Sequence, residues 1–398
     1  MARPETPQRI EPTRLEETPE AIADVVAELS ATTATLGAAL NPVTAANLAD
    51  LVRLMNCYYS NLIEGHNTGP KDIASALKGK FEKNPERRNL QIEAAAHVRV
   101  QVEIDRMAMD DRLPEPASCE FIRWLHLEFY AGAPAEMLLI RDANHEFKMT
   151  PGAWRSKPQQ DVAVGRHVPP SSAHVPAFMQ YFDAHYRMHG LGKARKILTI
   201  PAAHHRLNYI HPFPDGNGRV SRLMSHAMAH VAGIGAHGLW SISRGLARGL
   251  ASRGEYRQMM DLADTPRQGD LDGRGNLSLR ALSDFTLWFL QVCLDQASFM
   301  SGLFELDTLA RRLRACVERN EKLKPEGARL LEEALIRGEF DRGEASRITG
   351  LPERTARRLV NDTVEAGYLA STTPKGPLSL RFPLDALDVL FPRLFPET

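Results

Sequence analysis

The sequence predicts a mostly all-α chain with one small β-hairpin in its middle and a mixed module of short helices and strands at its end. Three observations carry this reading. Apolar residues recur at helical spacing through most of the chain up to about residue 300. A stretch from about Asn144 to Ser172 breaks that rhythm with Pro151, Pro158, Pro169 and Pro170 and holds a short alternation, Asp161-Val162-Ala163-Val164. After Pro325-Glu326-Gly327 the pattern changes to short helical runs followed by strand-like ones.

Taken in order, residues 1–18 are polar and proline-bearing and read as a loose tail with no signal-peptide core. Helical spacing then runs from Pro19 to about Leu40 and from Thr44 to Ile63. In the second run Leu48, Leu51, Val52, Met55 and Tyr59 share a face, and Gly65 follows where a helix C-terminal glycine belongs. Further helical patterns lie near 71–81, 89–110 and 116–131. The hairpin is expected near 157–169, with Val162, Ala163 and Val164 before a Gly165-Arg166 turn and His167-Val168 after it. Helices resume at about 174–188, 192–209, 219–233, 252–264 and 278–299. This divides the chain into an N-terminal helical region (1–114) containing helix 44–65, a core (115–300), a linker helix (301–325) and a last domain (326–398).

Composition narrows the function classes. Hydrophobic residues make up 43% of the 398, enough to bury a core. Lys plus Arg and Asp plus Glu are 49 each, so whole-chain charge gives no argument for nucleic acid or an anionic membrane. Cys57, Cys119, Cys293 and Cys316 are far apart, form no CxxC pair and argue against a secreted disulfide framework. The most apolar stretch, around 226–240, is interrupted by His and Gly and is no membrane span. A soluble cytoplasmic protein is the expectation.

The informative segment is His211-Pro212-Phe213-Pro214-Asp215-Gly216-Asn217-Gly218-Arg219-Val220-Ser221-Arg222. A helix arriving at Ile210 must stop at Pro212-Phe213-Pro214. Gly216-Asn217-Gly218 permits a tight loop whose amides point inward, and a new helix starts near Arg219. Such a nest at a helix N-terminus binds phosphate. Arg219 and Arg222, three apart on one face, add two fixed charges. Asp215 can hold Mg²⁺, which takes one or two carboxylates and completes its shell with phosphate oxygens and water. His211, with an ordinary pKa of about 6.5, suits a general base near neutrality.

This segment resembles the signature of the Fic family, H-x-F-x-[D/E]-G-N-G-R-x-x-R, at all eight specified positions. Ala203-His204 and Ile210 upstream, and Glu255-Tyr256, Gly269-Asp270 and Trp288-Phe289 downstream, extend the likeness over roughly 115–300. The resemblance implies a helical fold in which His211 deprotonates a Ser, Thr or Tyr hydroxyl of a protein, which attacks the ATP α-phosphate. By the same carry-over Asp215 holds Mg²⁺, Gly216, Asn217 and Gly218 cradle the phosphates, and Arg219 and Arg222 bind the β- and γ-phosphates. The related Doc-like kinase branch has Lys at the position of Gly218, which argues against kinase chemistry. The hairpin carrying Val162, Ala163, Val164, His167 and Val168 falls where Fic proteins have a flap that aligns the target backbone by main-chain pairing. Trp154 and Arg155, just before it, receive no role.

A second run, Ser60-Asn61-Leu62-Ile63-Glu64-Gly65, resembles the Fic inhibitory motif [S/T]-x-x-x-E-[G/N]. Ser60 and Glu64 are i and i+4 at a helix C-terminus, where a carboxylate opposes the macrodipole and needs a cationic partner. Arg222 is the expected one. Residues 326–383 resemble a winged helix-turn-helix whose second long helix presents Arg354, Thr355, Arg357 and Arg358. From Gly343 to Gly367 four Arg face four acidic residues, Glu344, Glu353, Asp362 and Glu365. DNA binding through 343–367 and a protein-interaction or dimer-forming role therefore both stay open. So do three activities: an AMP-transferring enzyme restrained by Glu64, a Fic enzyme that removes AMP, and a nucleotide-sensing DNA-binding regulator.

Overall fold

The computed structural model describes residues 5–141 and 146–395. The first four residues of the expected tail, Asn144 and His145 at the start of the irregular stretch and the last three residues of the terminal domain lie outside the described residues. The chain is mostly helical with few strands. In order the elements are α1 (Glu20–Thr35), α2 (Pro42–Ile63), α3 (Pro70–Leu77), α4 (Pro85–Met109), α5 (Cys119–Phe129), β1 (Leu139–Arg141), β2 (Glu146–Lys148), α6 (Val175–Tyr186), α7 (Lys193–Ile210) and α8 (Asn217–Val231). They continue as α9 (Ser243–Arg248), α10 (Glu255–Ala263), α11 (Leu279–Leu303), α12 (Leu306–Glu318), α13 (Gly327–Arg337), β3 (Glu339–Phe340), α14 (Ala345–Thr349), α15 (Glu353–Glu365), β4 (Leu369–Ala370), β5 (Leu378–Leu380) and α16 (Leu387–Leu390).

The chain groups into two compact units. The first comprises Met1–Thr33, Asn56–Ala236 and Ser241–Gln296. At its centre α7 packs along α8, and α4 and α5 cover α8 from other sides. The apolar side chains Ile200, Leu207, Ile210, Leu223, Met224 and Phe289 are buried there. Local chemistry sets the helix ends: Asn84 accepts from the Arg87 amide at 3.1 Å to start α4, and Ser118 accepts from Phe121 at 3.1 Å to start α5. Helix α2 stops where Gly65 takes φ +83, and His66 N–H returns to Asn61 O at 2.9 Å.

The second unit comprises Ala34–Met55, His237–Trp240 and Ala297–Thr398. Here α12 packs on α13 and α16, so residues 301–325, read as a linker, contribute a helix to a compact body. Three antiparallel strands in the order β3-β5-β4 follow, with Phe340 opposite Leu378 and Leu369 opposite Leu380. Thr44 donates from Oγ1 to Ala334 O at 3.3 Å and Leu335 O at 3.0 Å, and Asn41 donates to Arg337 O at 2.9 Å.

Two expectations change. The N-terminal stretch is not a loose tail: Pro7–Ile10 forms a 3-10 turn with Arg9 and Ile10 buried. Arg9 donates to Tyr209 Oη at 3.0 Å and to Val168 O, and Arg206 donates to Pro12 O at 3.2 Å. These partners are remote in sequence and leave no periodic trace. The hairpin expected near 157–169 is reduced to one antiparallel bridge, Val164 to His167. The two-stranded hairpin is β1-β2, upstream, with Ile140 opposite Phe147. The reason is local: Asp161 Oδ1 accepts from Ser172 N–H at 2.7 Å and from Arg155 at 3.2 Å, so side chains rather than a ladder hold the loop. Pro169 and Pro170 supply no amide to extend one.

Candidate active site

Helix α7 delivers His211 at its C-terminal end, in left-handed backbone at φ 50, ψ 61. A non-glycine residue holds that conformation only when its surroundings fix it. Its N–H bonds Leu207 O at 3.0 Å, and its carbonyl accepts from Arg155 Nε at 2.7 Å. Arg155, without exposed side chain, also donates to Pro170 O at 2.7 Å, Ile210 O at 3.3 Å and Ser172 Oγ at 3.2 Å, while its own N–H reaches Pro212 O at 2.8 Å. One guanidinium thus ties the end of α7 to the loop after residue 160. Burial, then the charges of Arg155 and His167, push the His211 imidazole down to about 4. It is neutral at neutral pH, the form a base requires.

Between His211 and α8 the chain turns through Pro212–Gly216. Asn217 closes this turn with its side chain, accepting from Phe213 N–H at 2.9 Å and donating to Phe213 O at 2.8 Å. Asn217 therefore shapes the loop with its side chain and leaves its backbone in the first turn of α8. Asp215 keeps a 47% exposed side chain. Burial raises its pKa, but Arg219, the Gly216 N–H and Tyr130 outweigh it, so the carboxylate lies below its usual range and is ionised. Tyr130 donates to it at 3.0 Å. His126 accepts from Gly152 N–H at 2.8 Å through Nδ1, so its Nε2–H donates to Asp215 O at 3.2 Å.

Arg219 and Arg222, on the first turns of α8, are both buried. Arg219 pairs with Glu93 of α4 at 2.7 Å and lies over the Phe129 ring at 5.0 Å. Glu93 also meets His66 at 3.0 Å, and that hydrogen bond raises the His66 pKa. Arg222 donates from Nε to Ser60 Oγ at 2.9 Å and from Nη2 to Glu64 Oε1 at 2.5 Å and Ser60 O at 3.2 Å. Burial raises the Glu64 pKa, but Arg222 and Arg219 outweigh it and hold the carboxyl below its ordinary value. Gly218 is the reason the carboxylate fits. A Cβ there would run into Glu64 Oε1 and come within 3.1 Å of Arg222 Nη1. Glu64 thus lies against the N-terminal turn of α8, where amides and dipole favour an anion.

The structure brings His211, Asp215, Gly216, Asn217, Gly218, Arg219, Arg222, Ser60 and Glu64 together. In the expected flap Val164 and Val168 are 44% and 56% exposed. His167 turns inward: Nε2 meets Tyr209 O at 2.7 Å and Nδ1 meets Asp264 at 2.9 Å, so it anchors the loop rather than facing outward. Sequence reasoning missed Arg155, Tyr130, His126, Glu93 and His66. None has a fixed spacing to the signature, and each reaches it from another element.

This fold and this constellation define a Fic/DOC family domain, which the family model matches over residues 116–229. Within that class the chain is 35% identical over 75 residues to the protein adenylyltransferase Fic of Drosophila erecta, and 36% over 75 residues to that of Drosophila virilis. Each match covers 19% of this chain, and 15% and 16% of the fly proteins, so the likeness to them is confined to a small part of their length. The fold is similar to that of a Fic family protein from Desulfovibrio desulfuricans G20, with a TM-score of 0.52 and 16% identity, over 93% of this chain and 98% of that one. It is also similar to a Fic domain containing signaling protein from Bacteroides thetaiotaomicron VPI-5482, with a TM-score of 0.51 and 20% identity, over 70% and 95%. Among the described residues no helix is long and apolar enough to cross a membrane.

Proposed function

We propose that this protein transfers AMP from ATP to a hydroxyl of a protein side chain, with His211 as general base and Glu64 as a built-in brake. The observation that carries the reading is the meeting of a neutral histidine, an exposed ionised carboxylate and an arginine-lined helix N-terminus within one short stretch. His211 takes the proton of the target hydroxyl. The oxygen then bonds the α-phosphorus, the bond to the bridging oxygen breaks, and pyrophosphate leaves with its electron pair. The α8 N-terminus, Arg219 and Arg222 hold the departing phosphates. Asp215 fits a hard divalent cation because its carboxylate is ionised and half-exposed. Mg²⁺ bound there would neutralise charge on the phosphates. Glu64, on Arg222 and against Gly218, competes with a phosphate for that corner.

The test is to incubate wild type and Glu64→Gly with α-labelled ATP and a cell lysate. Labelled protein bands, stronger with Glu64→Gly and lost in EDTA or in Asp215→Ala, support the reading. Labelling undiminished in excess EDTA removes the Mg²⁺ role, and no labelling by a folded Glu64→Gly protein rejects AMP transfer. Release of AMP from a pre-labelled target by wild type, with none transferred, would reverse the direction of the reaction.

A second reading concerns the terminal module. The order α13-β3-α14-α15-β4-β5 with sheet order β3-β5-β4 favours a winged helix, and α15 exposes Arg354, Arg357 and Arg358. A gel-shift with random duplex pools tests it. Sequence-selective retardation lost in a triple Arg→Ala variant supports DNA contact.

A further inference from the structure

We propose that Asp105, His226 and His230 form a binding site for one divalent transition-metal ion of the zinc class, which bolts α4 to α8. His226 and His230 are i and i+4 on α8, so both imidazoles leave one face of the helix. Asp105 faces them from α4 and is buried, with 1% exposure. Both histidines direct Nε2 at the same carboxylate oxygen, at 2.6 and 2.9 Å, and the two Nε2 atoms are 3.3 Å apart. One donor atom from each of the three lies within 4.8 Å of the other two.

Those separations fit a cation. Four ligands at about 2.0–2.1 Å around zinc stand roughly 3.3–3.4 Å from one another. The histidine pair already has that spacing, and the carboxylate oxygen, now at 2.6 and 2.9 Å, would withdraw by about 0.7 Å from His226 and about 0.4 Å from His230. Two imidazole nitrogens and one carboxylate suit zinc and its neighbours and not Mg²⁺, which asks for an octahedron of oxygens. His230 is the least buried of the three, with 9% of its side chain exposed. Its ring is held in place: Gly235 approaches so closely that a Cβ would collide with Nδ1 and lie 2.8 Å from Cγ. A preset ring lowers the cost of ordering ligands.

The position gives the ion something to hold. Asp105 lies on the helix that carries Glu93, the partner of Arg219, and His226 lies four residues beyond Arg222. An ion between α4 and α8 therefore stiffens the packing on which both arginines depend, without touching a phosphate itself.

Untagged full-length protein, grown with zinc supplied, should carry about one metal ion per chain by elemental analysis. After stripping with a chelator, its melting temperature should fall by several degrees and recover with Zn²⁺. Co²⁺ should bind at about one equivalent with the ligand-field bands of a four-coordinate N/O site. His230→Ala, at the rim of the cluster, and the near-isosteric Asp105→Asn should reduce metal content to below about a tenth of an equivalent. His189→Ala, an exposed histidine elsewhere, should keep it. Should the variants not fold, the wild-type cobalt spectrum and the zinc-dependent melting decide alone. Wild type that carries under about a tenth of an equivalent, gives no cobalt bands and melts identically with and without Zn²⁺ overturns the proposal. So does metal content unchanged in His230→Ala and Asp105→Asn.

Discussion

Arg155 fixes where His211 stands, and it does so through a carbonyl rather than through the imidazole. Arg155→Lys keeps the charge but not the fork that reaches the carbonyls of His211, Pro170 and Ile210 at once. Since a shift of about 1 Å can cost roughly 10²-fold, this variant should lose about 10- to 100-fold in kcat while KM for ATP moves little. Steady-state kinetics on a Glu64→Gly background check it. His211→Ala on the same background should lose about 10²–10⁴ in rate and remain folded; near-parent transfer by that protein sinks the mechanism. The pH profile adds a sign. With His211 pushed down to about 4, the base form persists through neutrality, so the acid limb of kcat/KM should fall below the ordinary histidine value of about 6.5. Arg155→Ala removes one of the charges that depress it, and the limb should move up. For the brake, Glu64→Gly should raise transfer markedly, Arg222→Ala should be slow, and the double variant should gain little over Arg222→Ala. Equal acceleration by Glu64→Gly with and without Arg222 would sever the link between the two.

Single elements differ in how openly the sequence announces them. The α7–loop–α8 unit is readable because its determinants are consecutive: two prolines end one helix and Gly216-Asn217-Gly218 opens the next, whereas the Asn217 staple and the room at Gly218 for Glu64 show only in the structure. The i, i+4 placement of Ser60 and Glu64 on α2 was readable for the same reason, and so were most helix spans. What stayed hidden reaches the site from afar. Arg155 acts through main-chain carbonyls, which carry no sequence signature, and the Glu93–Arg219 pair joins α4 to α8 with no spacing to read. The loop after residue 160 departs from the expectation because Val162–Val164 alternates like a strand while the Asp161 side chain, bonded to Ser172 N–H and Arg155, holds the loop instead. The terminal module shows a related effect. Residues 326–398 read as separable, yet Thr44 and Asn41 bond to carbonyls of α13. Removing 326–398 exposes the face of α2 that packs there. The truncated chain should aggregate or melt several degrees lower by circular dichroism; an unchanged melting curve would show that these bonds contribute nothing.

At the scale of the whole molecule, buried neutral histidines set the response to acid. Burial first, and then nearby positive charge, lowers His97 and His204 to about 3, and burial lowers His126 and His211 to about 4. Unfolding returns each to about 6.5. Between these limits the unfolded chain binds more protons than the folded one, so stability rises with pH there and is lost as pH falls through it. Acid destabilisation should therefore begin just under pH 6.5, above the carboxylate range, and continue down to about 3. Chemical denaturation at a series of pH values measures it. A midpoint constant from about pH 7 to 5 would show that these rings are not buried as neutral species.

The space at Gly218 also constrains descent. One missing side chain makes room for a carboxylate delivered by a different helix, so the two positions cannot drift separately. A lineage that gains any side chain at 218 evicts the glutamate, and selection to keep Glu64 then lapses. Across related sequences, glycine at 218 and glutamate at 64 should be lost together, and chains that break the pairing should be found with the upstream helix altered or gone.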